Sequence, residues 1–149
     1  MPAVVIDANV VLDLRNRNAT QHATALDIAE GIDSGTLPTA RVPDCIVPEI
    51  LHPLQRQFGK AAAYETLDWL HESRGFEIAH VGEPARSRAE QLFRRYDTDN
   101  GPEWTDSVIA AYMLEAELEY IYSFDDDFDT IDGVTRLATA SDPFAPTDD

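Results

Sequence analysis

The 149-residue sequence has a single cysteine, Cys45, and a single lysine, Lys60. A lone cysteine excludes an internal disulfide, and no Cys/His spacing resembles a zinc site, so a reducing compartment is expected. No apolar run approaches the roughly 20 residues that span a bilayer. The first residues also lack a basic segment leading into an apolar signal region. A cytoplasmic, soluble protein with no membrane partner is the expectation. Positive charge is scarce as well: 11 Lys and Arg stand against 28 Asp and Glu, for a net charge of -17 at pH 7. Such a chain repels itself at low ionic strength and is tolerated where salt screens it, so the surface reads as salt-adapted, of halophilic type. The same charge argues against a nucleic-acid partner held by clustered basic residues. That objection weakens where a metal mediates the contact or salt screens the repulsion.

A hydrophobic content of 44% is ordinary for a folded protein. One domain over residues 1–140 is expected, followed by a flexible acidic tail over 141–149. Ala3 to Ile6 reads as a buried β-branched strand. Helices are expected from Thr20 to about Asp33 with Leu26 on the apolar face, and from Glu49 to Phe58, with Pro53 kinking or restarting the second. Another runs from Lys60 to Glu72 with Tyr64, Leu67 and Leu70 inward. "FEIAHV" from Phe76 alternates like a strand, and Glu83 to about Tyr96 is helical. Pro102 suits the first position of the next helix, whose apolar face carries Val108, Ile109, Tyr112 and Met113. "YIYSF" and "VTRLAT" are the last strands. Strands alternating with helices predict an α/β protein, a three-layer α/β/α sandwich with a mainly parallel central sheet.

Ligands of open parallel sheets sit beyond the carboxyl ends of the strands. Asp7 ends the first strand and Asp125 follows "YIYSF" in the same sense. Asp106 falls in the first turn of its helix, where the dipole favours an anion. Glu49 in "VPEIL" is flanked by apolar residues that turn its helix face inward. Taken singly, each of these acids is better explained as a cap or a surface charge; together they need a partner, because clustered carboxylates raise one another's pKa unless a cation neutralises them. Oxygen ligands suit Mg2+ or Mn2+, which can activate a water against phosphorus. The run Asp125 to Asp129 fails as an EF-hand loop, with Thr130 at the required Gly and Arg136 at the bidentate Glu. A receiver domain lacks its lysine, and a haloacid-dehalogenase-type phosphatase would want an Asp where Asn9 stands.

In this order and spacing, "VVIDANVVLDL", "VPEIL", "EWTDSVIAAYM" and "YIYSFDDDFD" resemble the acidic motifs of PIN-domain ribonucleases, at a size similar to the VapC toxins of toxin-antitoxin pairs. The resemblance implies the α/β/α fold and Mg2+- or Mn2+-dependent endonucleolytic cleavage of RNA. It implies Asp7, Glu49, Asp106 and Asp125 as catalytic, metal-binding carboxylates, with Asp127 the second choice in the fourth motif. Asn9 and Thr105 fall at supporting polar positions. Arg15 and Arg17 are candidates for RNA phosphates, whereas Arg94 and Arg95 are better read as salt-bridge partners. A homodimer and a cognate antitoxin are also implied. A metal- or RNA-binding module without catalysis, and an RNA-processing nuclease without an antitoxin, are the alternatives.

Overall fold

A computed structural model describes residues 2–96 and 99–146. Five strands form one parallel sheet: β1 Ala3–Ile6, β2 Thr39–Pro43, β3 Phe76–Ala79, β4 Tyr120–Tyr122 and β5 Thr135–Leu137, in spatial order β3-β2-β1-β4-β5. All four residues of β1 are buried, so the sheet centre is covered on both faces and the fold is the expected α/β/α sandwich. Each buried Val or Ile side chain contributes about 1.5–3 kcal/mol. Among the described residues six α-helices supply the cover: α1 Ala8–Leu14, α2 His22–Ser34, α3 Val47–Phe58, α4 Lys60–Glu72, α5 Glu83–Arg95 and α6 Trp104–Glu115. Helix α6 is buried continuously from Ser107 to Met113, a central rather than one-faced helix.

Several local expectations are corrected. Strand β2 has no clear sequence signature, because Arg41 and Pro43 interrupt it; the Arg41 guanidinium donates to the Tyr112 hydroxyl at 3.4 Å. Pro53 does not restart α3, which runs through it as one helix. The missing bond is offset by Ile50 and Leu54, both fully packed. Tyr64 points outward, 57% exposed, with the Lys60 ammonium 5.7 Å from its ring centre; Leu70 is buried as expected, and Ala63 and Thr66 complete the inward face. Leu26 is exposed, and Ala25 and Ile28 take its place on the buried face of α2. Pro102 lies outside α6, because Glu103 caps it in a reciprocal capping box with Asp106. Residues 141–146 form no helix or strand, yet the buried Tyr122 donates to the Ser141 carbonyl at 2.6 Å and Phe144 packs edge-on against Tyr120. The rest of the expected tail lies outside the described residues.

The chain leaves β1 for β2 on one side, while β4 pairs with β1 on the other. The carboxyl ends of β1 and β4 therefore flank the point where strand order reverses, the usual ligand crevice of open parallel sheets.

Candidate metal centre

Asp7 follows β1 directly and caps α1, its Oδ1 accepting from the Ala8 amide at 2.8 Å. Its own amide donates to the Tyr122 carbonyl at 3.0 Å, which ties the ends of β1 and β4 together. The Oδ2 atom accepts from the Ser123 hydroxyl at 2.8 Å and from the Asn9 amide at 3.3 Å. Ser123 is wholly buried and also accepts from the Asp125 amide at 3.0 Å. Asn9 in turn accepts from the Phe124 amide at 3.2 Å. Two strand ends and two candidate acids thus share one hydrogen-bonded knot. Sequence reading missed Ser123; the available signal was a small polar residue at the end of an apolar strand, two places before Asp125.

Asp125 opens a short 3-10 turn at Asp126–Thr130, its Oδ1 accepting from the Asp127 amide at 3.0 Å. Asp106 sits in the first turn of α6, its Oδ2 accepting from the Glu103 amide at 3.4 Å. These placements bring one carboxylate oxygen each from Asp106, Asp125 and Asp127 within 4.8 Å of one another. Asp127, the second choice from sequence, belongs to this trio. Asp7 stands beside it, while Glu49 is exposed on α3, next to the fully buried Ile50. The inward orientation expected for Glu49 is therefore corrected, although its charge still acts on Asp7. Thr105 is half-buried and makes no side-chain hydrogen bond among the described residues.

The electrostatics follow from this crowding. Burial pushes the Asp7 carboxyl up to about 6 against its hydrogen bonds from Ser123 and Ala8, with Asp125 and Glu49 adding repulsion. Burial, then Asp125, Asp7 and Asp127, push Asp106 up to about 7. The charges that act most strongly on Asp106 are all carboxylates. Arg136, on which Asp125 and Asp126 also act, is held by Asp129 in a two-pronged pair at 3.0 Å for each bond and reaches the Ser123 carbonyl at 3.4 Å. It braces the loop carrying Asp125 and Asp127 without entering the trio. An all-oxygen donor set of this kind, short of positive charge, fits a hard divalent cation.

The other candidate residues fall elsewhere. The Arg15 guanidinium lies 5.2 Å from the Trp69 ring centre, half-buried, and Arg17 is exposed. Arg95 pairs with Asp132, as expected, whereas Arg94 has no ion pair among the described residues. His80 pairs with Asp44 at 3.0 Å, and Asp44 also accepts from the Val81 amide, joining the ends of β2 and β3.

The PIN domain family model matches residues 4–134, so the chain belongs to the PIN domain family, a class of nucleases. Among solved structures, a VapC toxin of Mycobacterium tuberculosis that cleaves the sarcin-ricin loop is similar at 21% identity and TM-score 0.72, over 85% of this chain and 92% of that one. A VapBC complex of Rickettsia felis bound to promoter DNA is 12% identical with TM-score 0.71, over 91% and 97%. A toxin-antitoxin complex of Klebsiella pneumoniae is 18% identical with TM-score 0.63, over 93% and 98%. At these identities the likeness establishes a common fold. Comparison with curated proteins found no match. No helix among the described residues is long and apolar enough to cross a membrane.

Proposed function

We propose that this chain is a divalent-cation-dependent endoribonuclease, the toxin of a toxin-antitoxin pair. The observation that carries this reading is the convergence of Asp106, Asp125 and Asp127, with Asp7 alongside, at the rim of a PIN fold, where the carboxylates raise one another's pKa. Mg2+ or Mn2+, when bound, supplies charge neutralisation at phosphoryl oxygens and acidifies water. Asp106, Asp125 and Asp127 are assigned to hold the cation, and Glu49 closes the site from the α3 side. Asp7, whose carboxyl is pushed up to about 6 by burial, is assigned to take up the proton of the attacking water. Asn9 and Ser123 hold Asp7 in place for that role, and Thr105 lines the same helix start. The partners are an RNA substrate, a second copy of the chain, and an antitoxin; the neighbours solved as toxin-antitoxin complexes support the last. The net charge of -17 supports a salt-adapted protein.

The test is incubation with RNA in concentrated salt, with Mn2+ or Mg2+, against the same mixture with chelator. Cleavage is expected only with the cation. RNA left intact under every condition, or cut equally with chelator, overturns the proposal.

Ser123→Ala deletes one donor and one acceptor from a buried knot. It is expected to cost about 1–3 kcal/mol of stability and to weaken Mn2+ binding about 10-fold. Thermal denaturation and a Mn2+ titration check this. Unchanged values in both would show that the knot positions nothing.

A further inference from the structure

Helix α5 presents one exposed stripe of mixed charge. Glu83, Arg86, Ser87, Glu90, Gln91 and Arg94 recur at helical spacing and are all exposed. With Trp104 they line one groove of about 470 Å³. Two acids and two arginines leave the stripe neutral within a chain of -17. The other arginines of α5 are spent, Arg88 on Glu115 and Arg95 on Asp132. Arg86 and Arg94 form no ion pair among the described residues. At the border of the stripe Trp104, 46% exposed, and Phe93, 44% exposed, meet edge-on with ring centroids 5.8 Å apart. Apolar area is thus left in water beside a charge-balanced face.

Trp104 precedes Asp106 by two residues, about 200° around α6. The indole and the carboxylate leave the helix start on opposite sides, so the stripe is no extension of the carboxylate cluster. The order of its charges selects an occupant. Along α5 the signs alternate, from Glu83 to Arg86 to Glu90 to Arg94. A nucleic-acid backbone is negative throughout, and Glu83 and Glu90 would oppose it as much as the arginines attract it. A second α5 laid antiparallel across a two-fold axis carries the same signs in reverse. With that axis between residues 88 and 89, Glu83 of one protomer faces Arg94 of its partner. Arg86 then faces Gln91, one residue from Glu90, and Ser87 faces Glu90. Symmetry repeats each pairing, and no like charges stand directly opposite. Two chains of -17 repel each other, and they do so least where local charge is balanced.

We propose that the α5 stripe is the contact between two copies of this chain, an antiparallel pairing of α5 with α5 bordered by Trp104 and Phe93. This contact rests on the toxin reading for the expectation of a homodimer, names the surface that makes it, and is read out without RNA. Phe93 lies in the last turn of α5, so in this register the aromatic pair of each protomer falls beside the first turn of the other. The rings supply apolar burial, and the charge order supplies register and direction.

The test is sedimentation of the full chain without RNA, at about 0.15 M salt, where charges in contact still act. Wild type is expected to be dimeric. Arg94→Glu and Glu83→Arg should each weaken the dimer about 10-fold for each of the two like-charge contacts that symmetry creates. Glu83→Arg/Arg94→Glu should restore it, and an equimolar mixture of the two single variants should form a heterodimer while each alone is monomeric. Trp104→Ala should weaken the dimer about 10-fold or more. Arg86→Glu and Glu90→Arg repeat the swap nearer the axis, should either single variant fail to fold. Single variants as dimeric as wild type, or folded single variants whose mixture stays monomeric, overturn the contact and leave the nuclease reading standing. Wild type that is monomeric at every concentration overturns the contact together with the homodimer, while cation-dependent cleavage still decides the nuclease. RNA affinity lost in Arg94→Glu with the dimer intact makes the stripe an RNA surface and also overturns the contact. Swaps that behave as expected in a chain that never cuts RNA remove the nuclease and keep the contact.

Discussion

Asp106→Asn is expected to lower RNA cleavage by roughly 10²–10³-fold while making the cation-free protein more stable. Both effects have one cause. The Asp106 carboxyl is pushed up to about 7 by burial and by Asp125, Asp7 and Asp127, so its ionised form is tolerated only at a cost that a cation relieves. An amide of the same shape keeps an acceptor for the Glu103 amide but presents no charge to the cation and none to its neighbours. Asp7→Asn should separate from it. There the Oδ2 position accepts from Ser123 and Asn9, and an amide nitrogen in that place sets donor against donor in a buried knot. Asp7→Asn is therefore expected to lose cleavage and stability together. Cleavage rates with Mn2+ and thermal midpoints in chelator are the measurements. Asp106→Asn retaining cleavage within about threefold of wild type would remove it from the site.

Charge and apolar runs made the outline legible before any coordinates. "VVI" reads as a strand buried on both faces because its residues are branched and unbroken, and Asp7, placed after it, has to fall at the sheet rim. Asp125 follows from the same reasoning at β4. The choice between Asp125 and Asp127 was not legible, since both lie in one turn, and the turn brings both to Asp106. Glu49 shows the limit of flanking hydrophobicity as a guide. Ile50 alone fixes the buried side of α3 at that point, and the preceding residue is rotated by about 100°, which leaves Glu49 exposed at the rim with its charge still acting on Asp7. Trp104 and Phe93 would each pass for core residues by type. Only the packing of α5 against α6 reveals that they brace each other at the surface. Arg15 illustrates the opposite case: it reads as a free cation near the first motif, and the Trp69 ring takes it up.

The metal-free protein should lose stability as pH rises from about 4 to about 7, and a divalent cation should restore it mainly at the upper end. Asp7 and Asp106 both have folded-state pKa values above the ordinary 3.8, at about 6 and about 7. Between 3.8 and those values the folded protein keeps protons that the unfolded chain has released, so the unfolded state gains on the folded one with each step upward in pH. Below about 4 both states are protonated and the two groups contribute nothing. Above about 7 the penalty is complete. Asp129 acts with the opposite sign, its carboxyl lowered by Arg136, but its contribution is lost only as pH falls below the ordinary carboxylate range, outside this window. With Asp7 at about 3 kcal/mol and Asp106 halved to about 2 kcal/mol for solvent screening, the two acids amount to about 5 kcal/mol, a fall of about 15 °C in Tm for a chain of this size. General repulsion among the surface acids adds to the same trend, so Asp106→Asn is the control, and its profile in chelator should be flatter than that of wild type. Saturating Mn2+ should raise the wild-type Tm far more at pH 8 than at pH 5, because binding at pH 5 must first displace the protons. A Tm in chelator that is level or rising between pH 4.5 and 7.5, or a Mn2+ shift as large at pH 5 as at pH 8, would show that these carboxyls do not crowd one another around an ion site.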